Sequence, residues 1–311
     1  MKNITFINNK FVKHSNAKIS IEDRGFLFAD SIYELISVFD NNAIDTDQHL
    51  DRLESSLKEI KIKYKFNKNK FKKVFEKLIK VNNVINGYIY IQITRGVAER
   101  KHEFPKNYSP TTIVFTKHLN IDKKIYKNGV KIITIEDLRW LRRDIKSTSL
   151  LPNILSKQIA VEKNAFESWL IDDGVITEGS SSNAWIITNS NTIITHPANN
   201  KILKGVTRET LIKILKKNNF KIKEKPFNLI EAKNAKEAFL TSSTLSVLPV
   251  VKIDNYNISN GKPGDVTKKI INLYNDYIFK NKSSLGGHWS KKFPNLKARP
   301  LIKLMKELKI A

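Results

Sequence analysis

A chain of 311 residues, 41% hydrophobic and 27% charged, is long enough to bury two cores and has the ordinary composition of a globular protein. It contains no cysteine, which excludes disulfides, zinc–thiolate centres and cysteine nucleophiles. The formal net charge is +25, yet nine of the 55 basic residues are arginine and the remainder are lysines scattered along the chain. Nucleic-acid binders gather basic residues in a stripe, use arginine for base edges and interleave aromatics for stacking. The bland reading here is a solvated lysine-rich surface, with a basic nucleic-acid-binding protein kept as the distant alternative.

From the N-terminus, Met1-Lys2-Asn3-Ile4 opens no signal-type apolar core, and no apolar run approaches the roughly 20 residues of a membrane span, so a cytoplasmic protein is expected. Residues 5–12 read as a hairpin around Asn8-Asn9-Lys10, and Ser31 to Phe39 as a strand followed by a turn at Asn41-Asn42. His49 to Ile62 and Phe71 to Val81 carry apolar residues at helical spacing, and Tyr88–Ile93 and Thr112–Phe115 read as strands. Lys117 to Lys127 is polar and lysine-rich, a linker by composition. Beyond it lie a strand at Val130–Ile135, a helix from Pro152 to Asn164, and strands at Ser168–Ile171 and Asn183–Thr188. Helices follow at Arg208–Asn218 and Ile230–Asn234, then strands at Ala238–Leu240 and Val247–Ile253, and a helix from Val266 to Phe279. The expected organisation is α+β: a small N-terminal domain (residues 1–117), a linker (118–127), a large C-terminal domain (128–285) and a basic extension (286–311). In the extension, Pro300 suits the start of a short amphipathic helix.

Four short polar segments interrupt these patterns, each where a regular element should end. They are residues 136–147, ending Asp144-Ile145-Lys146-Ser147; Thr177-Glu178-Gly179-Ser180-Ser181-Ser182-Asn183; Thr195-His196-Pro197-Ala198-Asn199-Asn200, followed by residues 202–208; and Thr241-Ser242-Ser243-Thr244. Gly205 before Val206-Thr207-Arg208 at a helix start offers backbone N–H groups, a hydroxyl and a positive dipole end, the outline of a phosphate site. Thr241 to Thr244 adds four hydroxyls for the same ligand. Singly, each feature has an everyday explanation: a helix cap, a turn residue, one lysine among many.

Jointly, the sequence resembles the fold-type IV pyridoxal-phosphate aminotransferases, and among them the bacterial D-amino acid aminotransferases. The resemblance runs from Ile4 to about Phe279. Besides the four segments it rests on Glu22-Asp23-Arg24-Gly25, Ile32-Tyr33-Glu34, His49-Leu50-Asp51-Arg52-Leu53 and Thr94-Arg95-Gly96. It implies two α/β domains with pyridoxal 5'-phosphate in the interdomain cleft, and a homodimer. It implies that Lys146 binds the cofactor aldehyde as a Schiff base and later shuttles a proton. Glu178 pairs with the pyridine nitrogen, while Arg52, Val206, Thr207 and Ser243 hold the phosphate. Tyr33, Arg100 and His102 resemble the carboxylate trap of the D-amino acid enzymes, in which the Arg-x-His loop comes from the neighbouring subunit. The implied reaction is ping-pong transfer of an amino group from a D-amino acid such as D-alanine to a 2-oxo acid such as 2-oxoglutarate, with no metal. Branched-chain L-amino acid aminotransferases and aminodeoxychorismate lyases on the same fold are the nearest alternatives, and a cofactor-free Schiff-base lyase a further one. Two departures from the family pattern bear on side-chain preference: Ala29-Asp30-Ser31 stands where Gly-Asp-Gly is usual, and Leu245-Ser246 where Ser-Glu is expected.

Overall fold

The computed structural model describes residues 3–280. These residues divide into two compact units, 3–120 with Ile145–Leu150, and Ile121–Asp144 with 151–280. Among the described residues, no helix is long and apolar enough to cross a membrane.

The first unit is a six-stranded antiparallel sheet in the order β2-β1-β6-β5-β3-β4. Its elements are β1 (Ile4–Ile7), β2 (Lys10–Lys13), α1 (Arg24–Phe28), β3 (Ser31–Phe39), β4 (Asn42–Ala43), α2 (Thr46–Glu59), α3 (Lys68–Val81), β5 (Gly87–Thr94) and β6 (Thr112–His118). Asn8 and Asn9 both take positive φ in the two-residue turn between β1 and β2, and Asp40 and Asn41 do the same between β3 and β4. This is the primed geometry that matches strand twist and that Asn and Asp tolerate. Period-two burial in β3 and β5 sends Ile32, Ile36, Ile89, Ile91 and Ile93 to one face. That core is completed by Leu50, Leu53 and Leu57 of α2 and Phe71, Phe75 and Leu78 of α3.

The second unit is built on a ten-stranded mixed sheet. In chain order it contains α4 (Lys124–Asn128), β7 (Val130–Glu136), α5 (Leu151–Glu162), β8 (Glu167–Asp172), β9 (Val175–Gly179), β10 (Asn183–Ile187), β11 (Ile193–Thr195) and α6 (Val206–Lys217). Then come β12 (Ile222–Glu224), β13 (Phe227–Asn228), α7 (Leu229–Lys233), β14 (Glu237–Ser242), β15 (Ser246–Ile253), β16 (Tyr256–Asn257) and α8 (Asp265–Lys280). The strand order is β12-β11-β10-β14-β15-β7-β8-β9-β13, with β16 paired to β15. β7 runs parallel to both β15 and β8, and buries Val130, Ile132 and Ile133.

Most long elements lie within a few residues of their sequence-based bounds. The differences are instructive. The polar stretch at 117–127 holds the end of β6 and most of α4. β9 escaped notice because Thr177 and Glu178, both buried, break its apolar pattern. α1 has only five residues, too few to show a period. The helix expected near Pro300 lies outside the described residues.

Candidate active site

In the first unit the site is organised around the opening of β3. β4 is only two residues long and pairs with Val38 and Phe39, which leaves the other edge of β3 open over its first residues. The segment at 145–150 takes that edge. Ile32 bridges to Ser147, the Tyr33 N–H donates to the Lys146 carbonyl at 3.0 Å, and the Thr148 N–H donates to the Ser31 carbonyl at 3.1 Å. The Lys146 N–H donates to Ser56 Oγ on α2 at 3.3 Å. Lys146 is therefore fixed by its backbone, and its Nζ lies 4.3 Å from the centre of the Tyr33 ring. Tyr33 in turn stacks on Tyr90, whose hydroxyl donates to Gln92. Burial pushes the Tyr90 phenol up, with the neighbouring Tyr33 adding to the shift, so it stays a neutral donor.

The side chain of Glu34 points to the apolar face that Ile32 and Ile36 occupy and is wholly buried. Its Oε1 accepts from Arg52 Nε at 2.6 Å, and its Oε2 from Arg52 Nη2 at 2.9 Å. His49, one turn earlier on α2, meets Oε2 at 2.7 Å. Burial alone would push this carboxyl up; the charges and hydrogen bonds of Arg52 and His49 outweigh it and hold Glu34 far below the usual carboxylate range. Two of the five Arg52 donors thus serve to aim its guanidinium.

Arg100 and His102 occupy the exposed loop after Gly96. Both lie against Phe28 of α1, with the Arg100 guanidinium 5.2 Å and the His102 ring 5.6 Å from the Phe28 ring centre.

In the second unit Glu178, at the end of β9, is buried beneath three donor groups. Oε1 accepts from Arg139 Nη1 at 2.5 Å, Oε2 from Asn183 Nδ2 at 2.9 Å, and the Leu203 N–H reaches both oxygens at 3.0 and 3.1 Å. Asn183 Nδ2 also donates to the Leu203 carbonyl at 3.0 Å. A Cβ on Gly205 would fall 2.1 Å from Asn183 Oδ1, so only glycine lets the start of α6 come this close. Asn183 therefore ties the Glu178 carboxylate to the N-terminus of α6, where the first helical N–H groups, those of Val206 and Thr207 among them, have no partner within the helix. Burial pushes the Glu178 carboxyl up; the Arg139 charge and hydrogen bond and the Leu203 N–H oppose the shift without cancelling it, and the Asp137 charge, which holds the Arg139 fork at 2.8–2.9 Å, adds to it.

Ser243 lies in the turn between β14 and β15. The four hydroxyls of residues 241–244 do not act alike. Thr241 is buried and accepts from Trp185 Nε1 at 2.9 Å, and Ser242 accepts from the Leu245 N–H of its own turn.

Sequence reasoning gave no role to Glu34, His49, Arg139, Asn183 or Asp30. The signal for Glu34 was present: a carboxylate in phase with Ile32 and Ile36. Arg139 declares itself through a contact 39 positions along the chain, and Asn183 through contacts five and 20 positions away. The two departures before β3 also find places. Ala29 takes φ 53° as the C-cap of α1, where glycine would be unstrained, and Ser31 Oγ bonds to Thr148 Oγ1 and accepts from Gln92.

The family model for amino-transferase class IV matches residues 31–253, from the first residue of β3 to the last of β15. The chain belongs to the class IV aminotransferases. This class IV aminotransferase is 41% identical over 274 residues to a D-alanine aminotransferase of Staphylococcus haemolyticus, covering 88% of this chain and 97% of that protein. It is 39% identical over 263 residues to a D-alanine aminotransferase of Bacillus licheniformis, covering 85% and 93%. Its fold matches that of a branched-chain amino acid aminotransferase from Thermoproteus uzoniensis with norvaline, with a TM-score of 0.79 at 20% identity, over 94% of this chain and 97% of that one. A branched-chain amino acid aminotransferase from Escherichia coli matches with a TM-score of 0.79 at 21% identity, over 87% and 92%. The α+β architecture with two sheets is thus the fold-type IV fold.

Proposed function

We propose that this class IV aminotransferase exchanges the amino group of a D-amino acid, D-alanine or one like it, with a 2-oxo acid such as 2-oxoglutarate, using pyridoxal 5'-phosphate. The observation that carries the cofactor reading is the join made by Asn183. It touches Glu178 and packs on Gly205, placing one buried carboxylate beside one helix N-terminus. That is an acceptor for a ring N–H together with donors for a phosphate, so the residues present fit the group. The handedness is supported by the D-alanine aminotransferases that match over nearly their whole length.

The cofactor supplies, when bound, an aldehyde that takes up the amino group and a ring that withdraws electrons from the carbon losing its proton. Lys146 Nζ holds the aldehyde and then moves the proton of the substrate α-carbon. Glu178 keeps the ring nitrogen protonated by offering it a buried carboxylate, held in place by Arg139, Asn183 and the Leu203 N–H. Arg52, aimed by Glu34, joins Val206, Thr207 and Ser243 at the phosphate. Tyr33, Arg100 and His102 take the substrate carboxylate, the arginine by charge and the other two by directed hydrogen bonds. The enzyme works as a homodimer in the cytoplasm. Leu138, Trp140 and Leu141, together with Leu151, Ile154 and Leu155 of α5, are large apolar side chains left exposed on one chain, as a subunit interface requires.

The test is a two-substrate assay. D-alanine with 2-oxoglutarate should form pyruvate with parallel double-reciprocal lines. Turnover of L-leucine or L-valine without turnover of D-alanine would place the enzyme among the branched-chain L-amino acid aminotransferases instead.

A further inference from the structure

Arg100 and His102 are exposed and charged or polar, and such loops ordinarily wander. Here the loop is tied at both ends to residues 22–30. At its start, Asp23 bridges to Val97, the Arg24 N–H donates to the Gly96 carbonyl at 2.9 Å, and the Ala98 N–H donates to the Glu22 carbonyl at 3.4 Å. At its end the Arg24 side chain, only 4% exposed, donates to three successive carbonyls: Lys101 at 2.6 Å, His102 at 3.4 Å and Glu103 at 3.4 Å. A buried guanidinium bound to three neighbouring backbone oxygens fixes the direction of the chain that carries His102.

Arg24 is itself held. Its Nε donates to Asp30 Oδ2 at 2.8 Å, and the same carboxylate receives a fork from Arg95, at 2.7 Å to Oδ2 and 3.0 Å to Oδ1. Arg95 is buried, donates to the carbonyls of Ile60 and Lys61, and lies 3.6 Å beneath the Phe104 ring. Asp30 stands one residue before β3 and three before Tyr33. The third support is Phe28, whose ring meets the Arg24 guanidinium at 4.8 Å as well as Arg100 and His102.

We propose that Arg24 is a positioning residue for substrate carboxylate recognition: anchored on Asp30 and backed by Phe28, it presets the loop bearing Arg100 and His102. The inference rests on the reading above that these three residues take the carboxylate. It gives the pairing of Arg24 with Asp30 a purpose that neither has in cofactor chemistry, since neither needs to touch the cofactor or the reacting atoms.

The experiment uses the holoenzyme and the variants Arg24→Lys, Phe28→Leu and Phe28→Tyr. A lysine cannot span Asp30 and three carbonyls, and leucine keeps apolar volume but removes the ring face. Two readouts are taken: KM and kcat for D-alanine and 2-oxoglutarate, and the rate of trypsin cleavage after Arg100 and Lys101. For Arg24→Lys and Phe28→Leu, both KM values should rise about tenfold with kcat within about threefold, as expected when ground-state and transition-state binding weaken together. Cleavage should quicken by about as much, the cofactor absorbance should not change, and Phe28→Tyr should behave as the wild type. Unchanged KM, or unchanged cleavage, in both Arg24→Lys and Phe28→Leu overturns the proposal, as does a loss confined to kcat. Should Arg24→Lys fail to fold, Phe28→Leu and Phe28→Tyr decide by the same two readouts. A wild type that does not turn over D-alanine refutes the substrate reading instead, and the cleavage rates then decide alone whether Arg24 and Phe28 hold the loop.

Discussion

Two buried glutamates, one in each unit, face an arginine at hydrogen-bond distance and end with opposite electrostatics. Glu34 receives two donors from Arg52 and one contact from His49, and is held far below the usual carboxylate range. Glu178 has Arg139 at 2.5 Å, a backbone N–H and an amide, yet is pushed up. Arg52 and His49 both act on Glu34, whereas Arg139 acts on Glu178 and the Asp137 charge works against it. Arg52 turns its fork on Glu34, whereas Arg139 turns its fork on Asp137 and reaches Glu178 through one nitrogen. One carboxylate is held in its charged form; the other is pushed toward its protonated form. Burial does not tell them apart; the count of charged partners per carboxylate does.

The largest break in this comparison should come from Glu178→Gln. Without the carboxylate, turnover of D-alanine with 2-oxoglutarate should fall on the order of 10²–10³-fold, the range seen when one electrostatic partner of a developing charge is removed. A variant retaining near wild-type kcat would mean that Glu178 is as structural as Glu34. Glu34→Gln should act instead on folding and phosphate retention. It leaves the guanidinium of Arg52 without its carboxylate, at a cost of about 3–5 kcal/mol in unfolding free energy measured by urea denaturation.

The acid dependence should separate the two glutamates by sign. Glu34 is depressed, so its contribution is present above the ordinary value of 4.5 and is lost as pH falls through the lowered value. Glu178 is raised, so its contribution is present below 4.5 and is lost as pH rises through the raised value. The stability gap between wild type and Glu34→Gln should therefore narrow in acid, and that between wild type and Glu178→Gln should narrow as pH rises; gaps moving in the same direction would erase the distinction. The smallest effect should be that of His49→Asn, which keeps a donor toward Glu34 but shortens its reach. A loss of about 1 kcal/mol is expected in the same denaturation experiment, the worth of one ordinary hydrogen bond.

Much of the fold was legible because apolar period alone places the long elements. β3 and β5 alternate cleanly, and α2 and α3 carry leucines and phenylalanines every three or four residues. β9 and α1 were not legible, since the first carries buried Thr177 and Glu178 and the second buries Arg24, both against the hydrophobic pattern. The same divide runs through the site. Lys146, Glu178 and the glycine before α6 stood out as motif residues, but several arginines that contact the candidate residues or their loop are brought close only by folding. Arg139 meets Glu178 across 39 positions and Arg24 meets Lys101 across 77. The hydroxyl run at 241–244 erred the other way: its composition suggested four ligands, and folding turned Thr241 into the core against Trp185.

The most direct test of the whole account is a half-reaction. D-alanine is added alone to the purified yellow holoenzyme, with no 2-oxo acid present, and the visible absorbance of the cofactor is followed. The account predicts that the colour is lost in proportion to the pyruvate formed, returns on adding 2-oxoglutarate, and is not discharged in a Lys146→Ala variant. Colour that persists with D-alanine but bleaches with L-leucine would contradict it.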